Sequence, residues 1–170
     1  MQIFIRRIIL FPIFSLILFS LQAQNNSLII EKTSATRQQI CLNGLWKFIP
    51  AADNSDTSSS GDWGSIWVPG AWHQDAWWAS CPGIQEKGKS DLWKTPPSMI
   101  YKAWYEHSFS ITSDWKNKTI LVDFSRISTD AIVYVNNQKV GSIHWPGGIV
   151  DIISQVKIGK VQTLRLLVLA

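Results

Sequence analysis

Residues 101–148 contain three short runs in which residue types alternate with a period of two or are rich in β-branched and aromatic side chains. In residues 104–111, for example, Tyr105, His107, Phe109 and Ile111 all fall on one side of an extended chain. A period of two is typical of a β-strand with one buried face. Residues 118–124 and 130–135 repeat the pattern after polar, turn-prone joints. The stretch therefore predicts antiparallel sheet.

Further strands are predicted at residues 40–49, 65–68, 139–143, 149–153 and 163–169. Between two of the runs, Asn136-Asn137-Gln138 fits a tight hairpin turn, because asparagine tolerates a positive φ. No segment shows a convincing helical period. Several short strands joined by frequent turns predict an all-β fold, an antiparallel β-sandwich of the jelly-roll type.

Length and charge limit the classes of function. The chain has 170 residues, enough for one domain with a substantial core, and a formal net charge of +4. Arg6 and Arg7 lie in the first 24 residues, which contain no acid, so the rest of the chain carries about +2. Its basic residues are scattered singly, without a basic run or a recognition-helix pattern. Nucleic-acid binding is therefore not expected.

The N-terminus resembles an export signal. Residues 1–7 carry Arg6 and Arg7, residues 8–21 are apolar, and the small Ala23 lies near a plausible cleavage point. The apolar run is short for a membrane span, which needs about 20 residues. We predict a cleaved signal peptide over residues 1–24 and export to a periplasm or the cell exterior, with an uncleaved anchor as the alternative. A polar lead-in segment then covers residues 25–39, the sandwich covers 40–170, and no membrane association is expected after cleavage.

The two cysteines leave two alternatives open. In an exported protein, Cys41 and Cys81 are candidates for one disulfide that closes a long loop. The other alternative is two free thiols, since spacing along the chain does not show that two side chains meet. No CxxC or Cys/His spacing of a zinc site is present, and no metal or cofactor is expected.

Seven of the ten tryptophans lie between residues 63 and 104, most of them in a segment rich in glycine and proline (residues 63–94). Tryptophan offers a wide apolar surface to the C–H faces of sugars, and its N–H bonds a hydroxyl. Such contacts, contacts with a neighbouring domain, and local loop packing are the three alternatives for Trp72, Trp77, Trp78 and Trp93. His73 and Asp75 form a candidate polar handle for a ligand or metal beside them. Trp46, Trp67 and Trp104 fall on predicted strands and are expected in the core.

Several short motifs, in order, resemble the sugar-binding domain of glycoside hydrolase family 2, which includes β-galactosidases, β-glucuronidases and β-mannosidases. Residues 41–48 (CLNGLWKF), 67–72 (WVPGAW), 104–109 (WYEHSF) and 131–141 (AIVYVNNQKVG) are similar to its motifs. So are Gly147-Gly148 with the later Asp-Ile, and Gly159 with the closing strand. Asn137 stands in place of the usual hairpin glycine, Gln162 lies near a usual asparagine, and residues 73–94 match no family motif.

The resemblance implies a galactose-binding-domain-like jelly roll. It also implies that the catalytic carboxylates of the full protein lie in a later barrel domain. Glycosidases mostly use two carboxylates, and Asp62, Asp75 and Asp91 are expected to be solvated loop residues instead. Because the final predicted strand runs almost to Ala170, we expect a fragment of a longer protein, the alternative being a complete small sandwich. The expected role is the non-catalytic N-terminal domain of an exported hydrolase, with carbohydrate and the downstream domains as partners. The alternative is a stand-alone module that binds carbohydrate or protein.

Overall fold

The computed structural model describes residues 30–33, 37–51, 62–72 and 77–170. The predicted signal peptide and most of the lead-in segment lie outside these residues. The chain divides into two compact units, Met1–Ile40 and Cys41–Ala170. In the first, strands β1 (Ile30–Thr33) and β2 (Gln38–Ile40) pair antiparallel. Within the described ranges, no helix is long and apolar enough to cross a membrane.

The second unit is built almost entirely of antiparallel strands. These are β3 (Gly44–Pro50), β4 (Gly64–Val68), β5 (Ile84–Glu86), β6 (Lys102–Ser110), β7 (Leu121–Phe124), β8 (Asp130–Val135), β9 (Gln138–His144), β10 (Gly148–Asp151) and β11 (Val161–Leu169). Seven of them form one sheet in the order β5–β4–β3–β6–β11–β8–β9, and β10 pairs with β7 in a second sheet. Short 3-10 turns occupy Trp78–Ser80, Asp91–Lys94, Pro97–Met99 and Ser113–Trp115. The all-β antiparallel sandwich predicted from the sequence is confirmed, whereas the short strands β1, β2 and β5 were not predicted.

The inner face of the large sheet is covered at β9 by strand β10. Gly141 makes this contact possible, because a Cβ at that position would lie only 3.0 Å from a methyl carbon of Val150. On β10 itself, a Cβ at Gly148 would lie 3.1 Å from Ile143. The two glycines therefore allow the sheets to approach closely, and Val150 and Ile143 are both buried between them.

The outer face of the large sheet has a second, smaller core. Ile49, Trp104 and Leu167 are buried there, at neighbouring positions of β3, β6 and β11. Partly buried side chains pack against them, including Trp63 and Leu92 from the loops. The tryptophans that lie on strands differ in their exposure. Trp46 and Trp104 are buried as predicted, but Trp67 is 46% exposed, so its assignment to the core was wrong.

The β8–β9 hairpin contains Asn137 and contacts Gln162, the two positions at which the chain departs from the motifs that it resembles. Asn136 and Asn137 form the two-residue turn with φ of 50° and 67°, as predicted for this hairpin. The side chain of Asn136 also donates to the backbone oxygen of Gln155 at 2.9 Å and to Oε1 of Gln162 at 2.7 Å. Gln162 is fully buried and bonds the backbone of Lys157 through both ends of its amide. These bonds fasten residues 155–160 to the hairpin.

Candidate functional site

The aromatic residues that the sequence singles out meet around one phenylalanine of β3. Phe48 is fully buried, and four rings lie around it with centroids 5.1–5.9 Å away: Trp72, Trp78, Trp93 and Tyr105. All four contacts are tilted or edge-to-face, the arrangements that aromatic quadrupoles favour. We call this group the Phe48 cluster. It brings residues of the loop segment onto the inner face of the sheet.

Three of the four loop tryptophans, for which sugar contact was one of three alternatives, are therefore core residues. Trp72, Trp78 and Trp93 are 4–5% exposed, which leaves their ring faces no room for a ligand. The indole N–H of Trp78 donates to the backbone oxygen of Thr95 at 2.9 Å, and that of Trp93 to the backbone oxygen of Asp62 at 3.3 Å. Local loop packing, one of the three alternatives, accounts for these residues. Their burial follows from contact with Phe48, which lies far away along the chain.

Trp77 is the exception in this group. Its side chain is 73% exposed, although its neighbour Trp78 is buried. The backbone oxygen of Trp77 accepts the amide N–H of Ser80, which fixes the turn that directs the two side chains differently. Of the predicted set, Trp77 is the one the structure leaves available for contact. His73 and Asp75 lie outside the described residues, so their role as a polar handle stays a prediction.

The cysteines are free thiols in this structure, so the Cys41–Cys81 disulfide considered from the sequence is not formed. Cys81 is buried, and its Sγ lies 3.1 Å from the backbone oxygen of Trp72 and 3.7 Å from that of Trp77. Cys41 is partly exposed. The Cys81 thiol thus helps to hold the loop that begins after β4.

Asp62 holds the other end of the aromatic segment. Its carboxylate accepts the backbone N–H of Lys89 at 2.6 Å and also that of Ser90. The pKa of Asp62 is lowered, first by the backbone bond from Lys89 and then by bonds from Ser90. A Cβ at Gly88 would lie 2.4 Å from the Asp62 backbone oxygen, so only glycine fits this approach. Asp62 is therefore a solvated loop carboxylate, as expected, and it also has a structural role.

A row of charges crosses the outer face of the large sheet. Lys47, Glu106 and Arg165 are directly opposite one another on β3, β6 and β11. Lys47 Nζ lies 2.9 Å from one carboxylate oxygen of Glu106, and Arg165 Nε lies 2.6 Å from the other. Arg165 also donates to the side-chain oxygen of Asn137 at 2.9 Å. We call Lys47, Glu106 and Arg165 the charge row.

Glu106 is 7% exposed and is the centre of the charge row. Burial by itself raises the pKa of Glu106, but the hydrogen bonds and charges of Lys47 and Arg165 outweigh it and lower the pKa overall. No pattern along the chain indicates this arrangement, because both partners lie 59 residues from Glu106. Only the strand register brings them together.

The two described histidines are engaged with neighbours. The imidazole of His107 stacks on the indole of Trp46 with centroids 4.8 Å apart. His144 Nδ1 contacts the carboxylate of Asp130 across the β8–β9 pair. In the described part of the chain, no three His, Cys, Asp or Glu side chains come together as a metal site would require.

Comparison with solved structures identifies the same fold in part of larger enzymes. The chain is similar to a β-D-glucuronidase of Dictyoglomus thermophilum, with a TM-score of 0.59 and 22% identity over 81% of this chain and 20% of that one. It is also similar to a β-glucuronidase of Ruminococcus gnavus in complex with D-glucuronic acid, with a TM-score of 0.58 and 21% identity over 75% of this chain and 21% of that one. The chain thus spans about a fifth of these solved structures. No protein-family model and no curated protein matches it.

Proposed function

We propose that this chain is the non-catalytic N-terminal β-sandwich domain of an exported glycoside hydrolase of family 2. The observation that carries the proposal is the structural likeness to β-glucuronidases, which takes in 81% of this chain but only 20% of the enzyme from Dictyoglomus thermophilum. The ordered motifs from residue 41 to residue 168 support the same family. In this reading, the full protein hydrolyses O-glycosyl bonds.

The contacts of the acidic residues support a non-catalytic role. A retaining glycosidase holds two carboxyl groups about 5–5.5 Å apart, one of them free to act as a nucleophile. In this chain the carboxylates of Asp62, Asp91, Glu106, Asp130 and Asp151 each bind a backbone amide or a basic side chain. Acids held in this way stabilise loops and strands, and we place the catalytic pair in a separate barrel domain.

The domain's role in the full protein is to pack against that barrel and to shape the mouth of its active site. Trp77 is suited to such a contact, because it is a large apolar side chain that the fold leaves 73% exposed. Export through the signal peptide of residues 1–24 is part of the proposal.

Two measurements test the proposal. The purified 170-residue chain is assayed with nitrophenyl β-glucuronide, β-galactoside and β-mannoside, and we expect no turnover. The coding DNA beyond codon 170 is sequenced, and we expect the frame to continue into a barrel whose product hydrolyses one of these substrates. Turnover by the chain alone, abolished by one Asp or Glu substitution, would contradict the non-catalytic role. A stop codon after Ala170, together with a stable chain that binds carbohydrate or protein, would favour the stand-alone module.

A further inference from the structure

The outer face of the large sheet is covered along only part of its length. Toward one end, Ile49, Trp104 and Leu167 are buried beneath Trp63 and Leu92. Toward the other end, Leu45 and Trp67 are directly opposite each other on β3 and β4 and are 49% and 46% exposed. Cross-strand partners share a face, so these two side chains form one exposed apolar surface.

Polar groups continue this surface across the neighbouring strands. Lys47 follows Leu45 on the same face of β3, and its side chain is 62% exposed. Ser108 of β6 is exposed and lies opposite the partly buried Thr163 of β11. From β4 to β11 there are three strand spacings, about 14 Å in all. We call Leu45, Trp67, Lys47, Ser108, Thr163 and Arg165 the open platform.

The charge of this region is positive. Lys47 and Arg165 both bind Glu106, so a single carboxylate is shared by two cations. Lys139 is exposed on β9, opposite Tyr134, which in turn lies opposite Arg165. Glu86 of β5 is also exposed on this face, opposite Ser65, which lies opposite Lys47. The charge row, Lys139 and Glu86 together carry three cations and two anions, so the region keeps a net positive charge. A ligand that matches this surface therefore carries negative charge.

We propose that the open platform binds an acidic polysaccharide, a chain of uronic acid residues. The flat indole of Trp67 packs against the C–H face of one sugar ring, as tryptophan does with apolar surfaces that carry polar edges. The ammonium of Lys47 pairs with a uronate carboxylate, and the hydroxyls of Ser108 and Thr163 bond sugar hydroxyls. The large apolar side chains of the open platform are Leu45 and Trp67, and its other side chains carry hydroxyl or charged groups. Such a flat, polar face suits a polysaccharide better than an apolar protein partner.

This inference rests on the proposed function for its biological setting, since it names the class of polymer that the full hydrolase would hold. It is independent of catalysis, because the open platform contains no residue offered as an acid or a nucleophile. Failure of the proposed function would appear as turnover by the chain alone or as a missing downstream barrel. Failure of the platform would appear as no binding of the acidic oligomer by the native chain, or as unchanged binding in folded Trp67→Ala, without either of those results.

The test is isothermal titration calorimetry of the 170-residue chain with oligogalacturonate and with the same oligomer as its methyl ester. The ester keeps the sugar rings and removes the charges. We expect binding of the acid form, weakening by about tenfold or more for the ester, and a similar weakening in Trp67→Ala, as for a central aromatic contact. Trp145→Ala is the matched control, because Trp145 is 68% exposed and lies after β9, outside the platform.

Lys47→Gln keeps the test decisive if Trp67→Ala does not fold, since Lys47 is exposed and Arg165 still pairs with Glu106. This variant should bind the acid form several-fold more weakly and leave binding of the ester unchanged. The proposal is overturned if the native chain binds neither oligomer, or if folded Trp67→Ala binds as the native chain does. Loss of binding in Trp77→Ala but not in Trp67→Ala would instead assign the site to the aromatic segment.

Discussion

The imidazole of His107 lies 4.8 Å from the indole of Trp46, centroid to centroid, with an angle of 20° between the ring planes. Burial lowers the pKa of His107, although a hydrogen bond to the backbone of Leu45 opposes the effect. The stacked arrangement therefore suits a neutral imidazole. A charged imidazole at this position would lose part of its hydration against the sheet, which costs free energy.

This relationship predicts a pH dependence of stability. Because the pKa of His107 is lower in the folded state, the unfolded chain binds more protons as the pH falls through about 6.5, the ordinary histidine value. Stability should therefore decrease from pH 7.5 to pH 5.5, as measured by thermal melting. His107→Phe should flatten this dependence. An unchanged slope in His107→Phe would contradict the assignment.

The charge row predicts unequal effects of its members. Glu106→Gln should destabilise the fold by about 3 kcal/mol, since it leaves two cations without their shared, buried carboxylate. Lys47→Gln should cost less than about 1 kcal/mol, because Lys47 is mostly exposed and Arg165 still binds Glu106. Urea unfolding measures both values. Equal destabilisation by the two substitutions would mean that the stability of the charge row does not depend mainly on Glu106.

The Phe48 cluster predicts a large loss of stability on truncation. Phe48→Ala should lower the free energy of unfolding by about 4 kcal/mol, because a fully buried ring with four aromatic neighbours leaves a cavity. Trp77→Ala, in the same segment but exposed, should change it by less than about 0.5 kcal/mol. The comparison is made by denaturant unfolding with near-ultraviolet circular dichroism. A large effect of Trp77→Ala would show that Trp77 contributes to the core.

The side-chain amide of Gln162 is buried and hydrogen-bonded, so replacing it with an apolar side chain of similar volume should destabilise the fold. Gln162→Leu should cost about 2–4 kcal/mol, since it removes the partners of Asn136 and of the backbone at Lys157 and Lys160. Hydrogen exchange should also increase at the amide of Lys157. Gln138→Leu, at an exposed position of the β8–β9 hairpin, serves as the control. A stable Gln162→Leu variant with unchanged exchange would contradict this role.

The different exposure of the two thiols predicts how they react with a labelling reagent. Under native, non-reducing conditions, the partly exposed Cys41 should react with Ellman's reagent, while the buried Cys81 should react only after unfolding. Cys41→Ser should remove the native reaction and leave one thiol in denaturant. If no thiol reacts until a reductant is added, the two cysteines form the disulfide that this structure lacks.

The strands that form the sandwich were predictable because each carries its own signal. Strand β8 has the bounds expected from residues 130–135, and the Asn136-Asn137 turn that follows has the positive φ that its residue types predict. Strand β5 has three residues and no alternation long enough to detect. Its pairing with β4 is a tertiary contact.

The candidate site was harder to predict than the fold. Sequence composition showed that the tryptophans are concentrated in one segment, but not which of them are covered. Trp72, Trp78 and Trp93 are buried because Phe48 lies beneath them, whereas Trp67, on a strand, is exposed because its partner Leu45 lies beyond the cover of Trp63 and Leu92. Burial depends on what packs from elsewhere in the chain, and no local pattern contains that information.

The sequence alone determined the β-strands, the hairpin turn and the order of motifs, since these depend on a side-chain period of two and on the backbone freedom of single residues. Tertiary structure decided which aromatic rings pack and which face outward, and it joined Lys47, Glu106 and Arg165 into one row. The physical reason is that strand register sets side-chain neighbours across the sheet, and here it joins residues 59 positions apart.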